Sequence, residues 1–175
     1  MAASLYICYF GVREPLVRTQ VIPYLRELVD GGHKVSLVTF EPKRQTNWTS
    51  EQIAAERDEL AMQGIDWYWL GYHKRLSVIA TAWDILCGTL FVIKYINRYS
   101  PDLLHARVHV PMLMAAIARK LSRRRPKLLF DIRGFFSVEY LDAGIWPEGG
   151  WLYRMVKRVE KWLMQEADGF VVLTE

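Results

Sequence analysis

Residues 101–134 read PDLLHARVHVPMLMAAIARKLSRRRPKLLFDIRG, and this stretch decides the fold class. Its two short apolar runs, 103–106 and 128–132, have the composition of strands that are buried on both faces of a parallel sheet. The Ala- and Met-rich segment between them, from Pro111 to about residue 122, predicts a helix. The stretch therefore predicts a strand–helix–strand unit with a right-handed crossover between parallel strands.

The same alternation of apolar runs and helical patterns extends in both directions along the chain. Thr19 is predicted as the N-cap of the first helix, and Thr49 with Gln52 forms a capping box that opens the second. The predicted strands comprise residues 5–10, 35–40, 66–72, 103–106, 128–132 and 169–173. The predicted helices comprise residues 19–29, 49–62, 75–99, 111–122 and 152–163. The fold class is therefore α/β: a doubly wound, Rossmann-like parallel sheet of about six strands with helices on both faces.

The composition indicates one globular domain. Hydrophobic residues make up 51% of the 175 residues and charged residues 24%, which excludes the disordered class. Cys8 and Cys87 lie in predicted core elements without a CxxC pair, so we expect reduced thiols and no metal site. The N-terminus lacks the basic region of a signal peptide, so we expect a cytoplasmic protein.

Segment 76–93 of the longest predicted helix approaches the length of a membrane span. Asp84 in its middle favours a buried or interface helix, and a helix lying in the plane of a membrane is the alternative. The net charge of +4 arises largely from basic residues at 119–127 and 157–161. Solvated helix faces explain this charge, and attraction to an anionic membrane surface is the second interpretation. No nucleic-acid-binding motif accompanies the charge, so we expect no nucleic acid partner.

Ligands of doubly wound sheets bind at the carboxyl ends of the strands, so the loops there are the first candidates for a site. The loop after the first strand contains Gly11, Arg13 and Glu14, but neither the G-x-G-x-x-G of dinucleotide folds nor a P-loop. Gly11 permits close approach of a ligand to the backbone, and the two charged residues offer polar contacts. An ordinary tight turn explains the same residues equally well.

The loop after the fourth strand carries His105, Arg107 and His109 next to a predicted helix N-terminus. Imidazole and guanidinium groups in this position suit a phosphate or sugar hydroxyls. We expect His105 to be a structural residue within the strand, and Arg107 and His109 to face the crevice.

The loop after the fifth strand holds the sharpest constellation, with Asp131, Arg133 and Gly134 in succession and Glu139 close behind. Alternating charges at a strand end direct one group into the crevice while the other braces the loop. A structural Asp–Arg pair that closes the loop is the alternative interpretation.

These motifs also carry a family resemblance. The segments PDLLHAR (101–107), FDIRGF (130–135) and VVLTE (171–175) resemble, in their order and spacing, the N-terminal domain of family 4 glycosyltransferases. Pro111 before an Ala-rich helix, Gln20 and the GHKV turn at 32–35 fit the same pattern. The similarity spans nearly the whole chain.

The resemblance implies one half of a GT-B enzyme, a retaining hexosyltransferase that moves a sugar from a nucleotide-sugar donor to a glycan or lipid-linked acceptor. It implies no obligatory metal and no cofactor. The N-terminal domain holds the acceptor in this scheme, and cell-envelope or exopolysaccharide synthesis is the usual setting. An enzyme of this kind is cytoplasmic, with peripheral contact to the inner face of the membrane as an alternative.

The resemblance also implies roles for individual residues. Gly11 would lie near the donor phosphates, and Arg133 would occupy the place where some relatives carry a histidine in the catalytic region. Asp131, Glu139 and His109 would shape the acceptor pocket. The arginine is a departure from those relatives.

The donor-binding half of such an enzyme has no counterpart in residues 1–175, which we interpret as the N-terminal, acceptor-side domain alone. Its own C-terminal domain would then be its main partner, and the last residues, Thr174 and Glu175, match a helix start that is cut off. We expect this fragment alone to transfer no sugar at a useful rate, because half a cleft positions at most one substrate. The missing half would also leave apolar surface exposed.

Two rival hypotheses share the fold. A flavodoxin-like or receiver-like binding module would need a phosphate-binding or acidic loop after the first strand, and residues 11–16 provide neither. A noncatalytic scaffold that docks a partner protein or a membrane is the second rival. Fold alone does not decide between them.

Overall fold

The computed structural model describes residues 1–42, 48–73, 78–134 and 150–172. Within them, six strands form one sheet in the order β3-β2-β1-β4-β5-β6, and every neighbouring pair is parallel. The strands are β1 (Ala3–Cys8), β2 (Lys34–Pro42), β3 (Ile65–Tyr72), β4 (Leu103–Arg107), β5 (Lys127–Asp131) and β6 (Gly169–Val171). The doubly wound α/β fold is therefore confirmed.

Helices cover both faces of the sheet. They are α1 (Ile22–Asp30), α2 (Ser50–Met62), α3 (Val78–Tyr99), α4 (His109–Leu121) and α5 (Trp151–Glu166). The helices α3, α4 and α5 share a buried apolar cluster with one face of the sheet, and α1 and α2 share a second cluster with the other face. This arrangement follows from the sequence because each strand is apolar on both faces and each helix has one apolar stripe.

The first helix begins earlier than the sequence predicts, and Thr19 is not its N-cap. The backbone is already helical at Pro15, and Val17–Val21 forms a π-helical turn that continues into α1. The Thr19 hydroxyl donates to the carbonyl of Pro15 instead of capping the helix. Pro23 explains the wide turn, because in a regular α-helix its ring meets the carbonyl four residues earlier.

The predicted capping box of α2 is confirmed. Thr49 has an extended backbone, its hydroxyl accepts from the amide of Gln52 at 3.2 Å, and the Gln52 side chain accepts from the amide of Thr49 at 3.2 Å. Two of the amides that a helix start leaves without partners are thereby satisfied.

The long helix α3 packs closely on β2 and α4. A Cβ atom at Gly88 would lie 2.4 Å from Met114 Sδ and 3.0 Å from Phe40 Cζ, so a side chain here would force Met114 to move. Asp84 lies on the same buried face and is fully inaccessible to solvent. The expectation of a buried or interface helix agrees with this packing.

The opposite face of α3 is apolar and exposed over its first three turns. Ile79, Trp83, Leu86 and Leu90 follow one another at helical spacing, and all are at least 48% exposed. By length and composition Ile79–Tyr99 would suffice to cross a membrane, and 33% of its most apolar window is buried inside the domain. A single such helix is weak support for a membrane span, and we name the four residues the α3 stripe.

Three expectations fall on residues outside the described ranges. They concern Glu139, the start of the long helix at 75–77, and the strand end and helix start predicted at 173–175.

Candidate functional site at the carboxyl edge of the sheet

The order in which successive strands are added to the sheet reverses between β1 and β4, which are neighbours in the sheet. Strands β2 and β3 extend the sheet on one side of this pair, and β5 and β6 extend it on the other. The loops after β1 and β4 therefore leave in opposite directions and open a crevice at the carboxyl edge, where ligands of such sheets bind.

A buried ionic cluster occupies this edge beside the crevice. Asp131, the last residue of β5, accepts from the Tyr6 hydroxyl at 3.1 Å, Arg107 Nη1 at 3.4 Å and Arg133 Nη2 at 3.0 Å. Arg107 ends β4 directly opposite Asp131 in the parallel register, and Gln20 accepts from its Nη2 at 2.7 Å. We call Arg107, Asp131 and Arg133 the arginine cluster.

The arginine cluster carries one surplus positive charge, because two guanidinium groups share one carboxylate. The side chains of Arg107 and Asp131 are only 3% and 2% exposed, whereas that of Arg133 is 28% exposed. Both arginines pair with Asp131: Arg133 Nε lies 2.7 Å from Oδ1 and Arg107 Nη1 lies 3.4 Å from Oδ2, and Arg133 is the more exposed of the two cations. An arginine in this position is suited to a phosphate or a carboxylate.

His105 lies beside the arginine cluster without adding charge to it. As expected from the sequence, it is a buried residue of β4, and its ring lies 4.4 Å from the Tyr6 ring and 5.5 Å from the Tyr24 ring, measured between centroids. Burial lowers the pKa of His105 to about 4, so the imidazole is neutral near pH 7. Among the described residues, neither ring nitrogen has a hydrogen-bond partner.

The structure buries Arg107 and His109, which the sequence placed facing the crevice. His109 begins α4, where its ring meets that of Phe130 edge-on at 5.2 Å and its Nε2 lies 3.6 Å from Glu160 Oε1 of α5. Val108 between them has φ 63° and ψ 178°, a conformation that suits glycine, and its amide donates to the Asp131 carbonyl. This backbone conformation directs the side chains of Arg107 and His109 to different partners. A prediction from the alternation of side chains along a strand does not include this change.

Gly11 begins a tight turn, in which the Glu14 amide donates to the Gly11 carbonyl at 3.0 Å. A Cβ atom here would lie 2.7 Å from Glu41 Oε2. The absence of a side chain thus makes room for Glu41, which accepts from the amide of Val12 at 2.8 Å and the hydroxyl of Thr39 at 2.6 Å. Burial raises the pKa of Glu41, and its two hydrogen bonds oppose that shift. Sequence reasoning missed Glu41, although it directly follows the predicted strand 35–40 and lies near the end of β2.

Arg13 is fixed beside the same turn. Its guanidinium lies 3.9 Å from the Trp48 ring centroid, and its Nε lies 3.2 Å from Glu56 Oε2. Glu56 also pairs with Arg18. The Arg13 side chain remains 48% exposed, and Glu14 is exposed beside it, so both are accessible to solvent.

A second polar cluster, which the sequence analysis did not foresee, lies on the α3 side of the same edge. The buried carboxylate of Asp84 accepts from the Tyr9 hydroxyl at 2.8 Å and from the His73 amide at 3.1 Å, and its Oδ1 lies 2.6 Å from His73 Nδ1. Tyr9 follows β1 and His73 follows β3, so both come from strand ends. The lone charge of Asp84 in an apolar run was the signal available in the sequence.

The fold and the strand-end clusters define a doubly wound α/β domain with charged and polar clusters at its topological switch point. A family model described as the glycosyl transferase 4-like domain matches residues 17–175, and the chain belongs to this family. The resemblance carried by the segments 101–107 and 130–135 is thereby confirmed. A search among curated proteins found no match.

Three solved structures share the fold at low sequence identity. CalG4, the calicheamicin glycosyltransferase, has a TM-score of 0.58 and 14% identity over 95% of this chain and 43% of its own. MurG from Acinetobacter baumannii has a TM-score of 0.56 and 14% identity over 100% of this chain and 42% of its own. A putative UDP-N-acetylglucosamine 2-epimerase from Listeria monocytogenes has a TM-score of 0.58 and 12% identity over 98% of this chain and 40% of its own. The chain therefore spans less than half the length of each.

Proposed function

We propose that residues 1–175 are the acceptor-binding half of a retaining GT-B hexosyltransferase that uses a nucleotide-sugar donor. The observation that carries the proposal is the surplus positive charge of the arginine cluster at the switch point. Membership of the glycosyl transferase 4-like family supports the transferase class. The acceptor is a glycan or a lipid-linked sugar of envelope or exopolysaccharide synthesis, and no metal or cofactor takes part.

In this proposal Arg133 contacts the reacting groups, and Arg107 and Asp131 hold it in place. A phosphate near the transferred sugar gains a charge-assisted hydrogen bond from the exposed guanidinium, which the buried pair cannot offer. Gly11, Arg13 and Glu14 lie at the neighbouring strand end, and Gly134 follows Arg133. His109 shapes the pocket indirectly, through the start of α4, and Glu139 is proposed from the resemblance alone.

Transfer requires a second, donor-binding domain in this proposal. Residues 1–175 alone are therefore inactive, since they position one substrate at most. The comparison structures, of which the chain covers less than half, are consistent with a longer enzyme.

The α3 stripe is proposed to bring this cytoplasmic domain to an anionic membrane surface. Ile79, Trp83, Leu86 and Leu90 are exposed, and the cations Lys94 and Arg98 follow in the next two turns of the helix, where both are exposed. Apolar side chains next to cations fit the interface of a bilayer that carries negative lipids. Sedimentation with vesicles of anionic lipid tests this, with Trp83→Ser expected to release the protein and neutral vesicles expected to bind less of it.

A sugar-transfer assay tests the catalytic proposal. The whole gene product and residues 1–175 are assayed with UDP- and GDP-sugars and lipid-linked acceptors. We expect activity only in the whole product, and a loss of about 100-fold or more in kcat/KM for Arg133→Ala, the size typical for a lost electrostatic contact to the transition state. Arg123→Ala removes the same charge from an exposed site at the opposite edge of the sheet and is the matched control.

The outcomes separate the enzyme from the scaffold. Equal activity of the Arg133→Ala and Arg123→Ala variants would refute the role of the arginine cluster. A whole gene product that binds acceptors but transfers no sugar from any donor would favour the noncatalytic binding module.

A further inference from the structure

We propose that His73, oriented by Asp84 and Tyr9, binds a neutral hydroxyl group of the sugar acceptor through its Nε2 atom. The inference rests on the proposed function, because it names a subsite for that acceptor. It concerns binding and selectivity, and it assigns no proton transfer to His73.

The hydrogen bonds of Asp84 fix the tautomer of His73. A carboxylate only accepts hydrogen bonds, so the contact of 2.6 Å between Asp84 Oδ1 and His73 Nδ1 places the proton on Nδ1. The amide of His73 donates to the other oxygen of the same carboxylate, which fixes the backbone together with the ring. In its uncharged form, an imidazole that carries its proton on Nδ1 presents Nε2 as an acceptor.

Tyr9 completes the support of the carboxylate. Its hydroxyl donates to Asp84 Oδ2 at 2.8 Å, and burial together with this hydrogen bond raises the pKa of Tyr9, so the hydroxyl keeps its proton. Asp84 is fully buried and therefore needs several donors to remain in place. Three donors from two strand ends meet this need, and they leave no freedom for the imidazole to rotate away.

The exposed side of the His73 ring is better suited to bind a hydroxyl donor than an anion. The His73 side chain is 36% exposed, and among the described residues none hydrogen-bonds to its Nε2. The negative charge of Asp84 lies behind the ring, and among the described residues no lysine or arginine pairs with this carboxylate. An acceptor nitrogen backed by a carboxylate repels phosphate and attracts an O–H group.

Aromatic rings around the cluster fit the carbon face of a sugar. The Tyr9 ring packs edge-on against the buried Phe40 ring and the half-buried Tyr72 ring, at 4.9 Å and 5.1 Å between centroids. Tyr9, Tyr72 and Phe10, which is 39% exposed, supply the accessible aromatic surface. Sugar rings combine apolar C–H faces with hydroxyl edges, and the pairing of aromatic surface with one polar acceptor matches both.

The two clusters thus divide the crevice by charge. Tyr6 in β1 reaches Asp131 on one side of the sheet, and Tyr9 after the same strand reaches Asp84 on the other. The arginine cluster suits an anionic group, and His73 suits a hydroxyl group.

Nuclear magnetic resonance of histidine side chains in ¹⁵N-labelled residues 1–175 tests the site without any transfer reaction. We expect the His73 spectrum to show a proton on Nδ1 in the wild type and a mixture of tautomers in Asp84→Asn. The probes are the methyl glycosides of glucose, mannose and N-acetylglucosamine, with inorganic phosphate as the anionic comparison. At least one glycoside is expected to shift the Nε2 signal, and phosphate is not.

Substitutions link the signal to binding. His73→Phe keeps a ring but removes the acceptor, and we expect it to weaken glycoside binding about three- to tenfold, the effect of one hydrogen bond. His33→Phe changes an exposed histidine at the opposite edge of the sheet and should leave binding unchanged. Glycosides that lack one hydroxyl group identify the hydroxyl that contacts His73. When that hydroxyl is missing, the wild type and His73→Phe should bind the glycoside equally well.

Three results would overturn the proposal: a proton on Nε2 instead of Nδ1, no response of His73 to any glycoside, or equal binding by wild type and His73→Phe. Each is independent of the arginine cluster. Glycoside binding at His73 with no effect of Arg133→Ala on transfer would instead refute only the proposed function. Transfer that depends on Arg133 while His73→Phe leaves the acceptor KM unchanged would refute only the His73 site.

Discussion

Acidification is expected to destabilise the domain through His105, which is buried between Tyr6 and Tyr24. Burial lowers the pKa of this imidazole from 6.5 to about 4, more than the neighbouring carboxylate of Asp131 can offset. Between these two pH values the unfolded chain therefore binds a proton at His105 that the folded protein does not bind.

The sign and size of the effect follow from linkage. Stability rises with pH wherever the unfolded state binds more protons, so the contribution of His105 is present above about pH 6.5 and is lost as the pH falls towards about 4. Integration between the two pKa values gives a loss of about 2 kcal/mol from about pH 7 to about pH 5. Over the whole range the loss is about 3 kcal/mol.

Urea unfolding followed by tryptophan fluorescence measures this loss, with the wild type and His105→Phe compared at each pH. Phenylalanine keeps a ring between the two tyrosines and has no group to titrate. The difference in unfolding free energy between the two proteins removes the contributions of all other titrating groups. We expect this difference to move by about 2 kcal/mol between about pH 7 and about pH 5, in favour of the variant in acid. A difference that is independent of pH would refute the reasoning.

Three further predictions concern the backbone, the packing and a helix cap. Val108→Gly should stabilise the domain by about 1 kcal/mol, because relief of the strained backbone exceeds the entropy cost of glycine; a lower urea midpoint would contradict this. Gly88→Ala should cost about 1–3 kcal/mol through collision with Met114, and an unchanged midpoint would show that the side chain yields freely. Thr49→Ala should cost about 1 kcal/mol by removing a helix cap, whereas Thr19→Ala, which removes no cap, should cost less; equal losses would argue against the capping box.

The fold was predictable because it depends on periodicity, which the sequence shows directly. All six predicted strands are present, with starts and ends shifted by at most two residues in the described ranges. Strand ends are less certain than strand cores because apolar composition changes gradually at the edge of a sheet. The start of the first helix was wrong for a different reason, since a π-helical turn before Pro23 has no apolar period of its own.

The candidate site was only partly predictable, because its contacts join residues far apart in the chain. Asp131 and Arg133 were found from one loop, but the pairing of Asp131 with Arg107 depends on the register of β4 and β5. Asp84 was noted only as an interruption of an apolar run. Its partners Tyr9 and His73 follow two strands that are not neighbours, and no local pattern relates them.

The unequal burial of the two arginines makes the arginine cluster open to experiment. Arg107→Ala leaves the buried carboxylate of Asp131 short of one partner, a change that typically costs about 3–5 kcal/mol, so lost activity in that variant would be hard to separate from unfolding. Arg133 is 28% exposed, and Asp131 keeps Arg107 and Tyr6 when it is removed. Arg133→Ala should therefore fold with a loss of no more than about 1 kcal/mol. Lost transfer in a variant that unfolds at nearly the wild-type urea concentration would then report on the crevice itself.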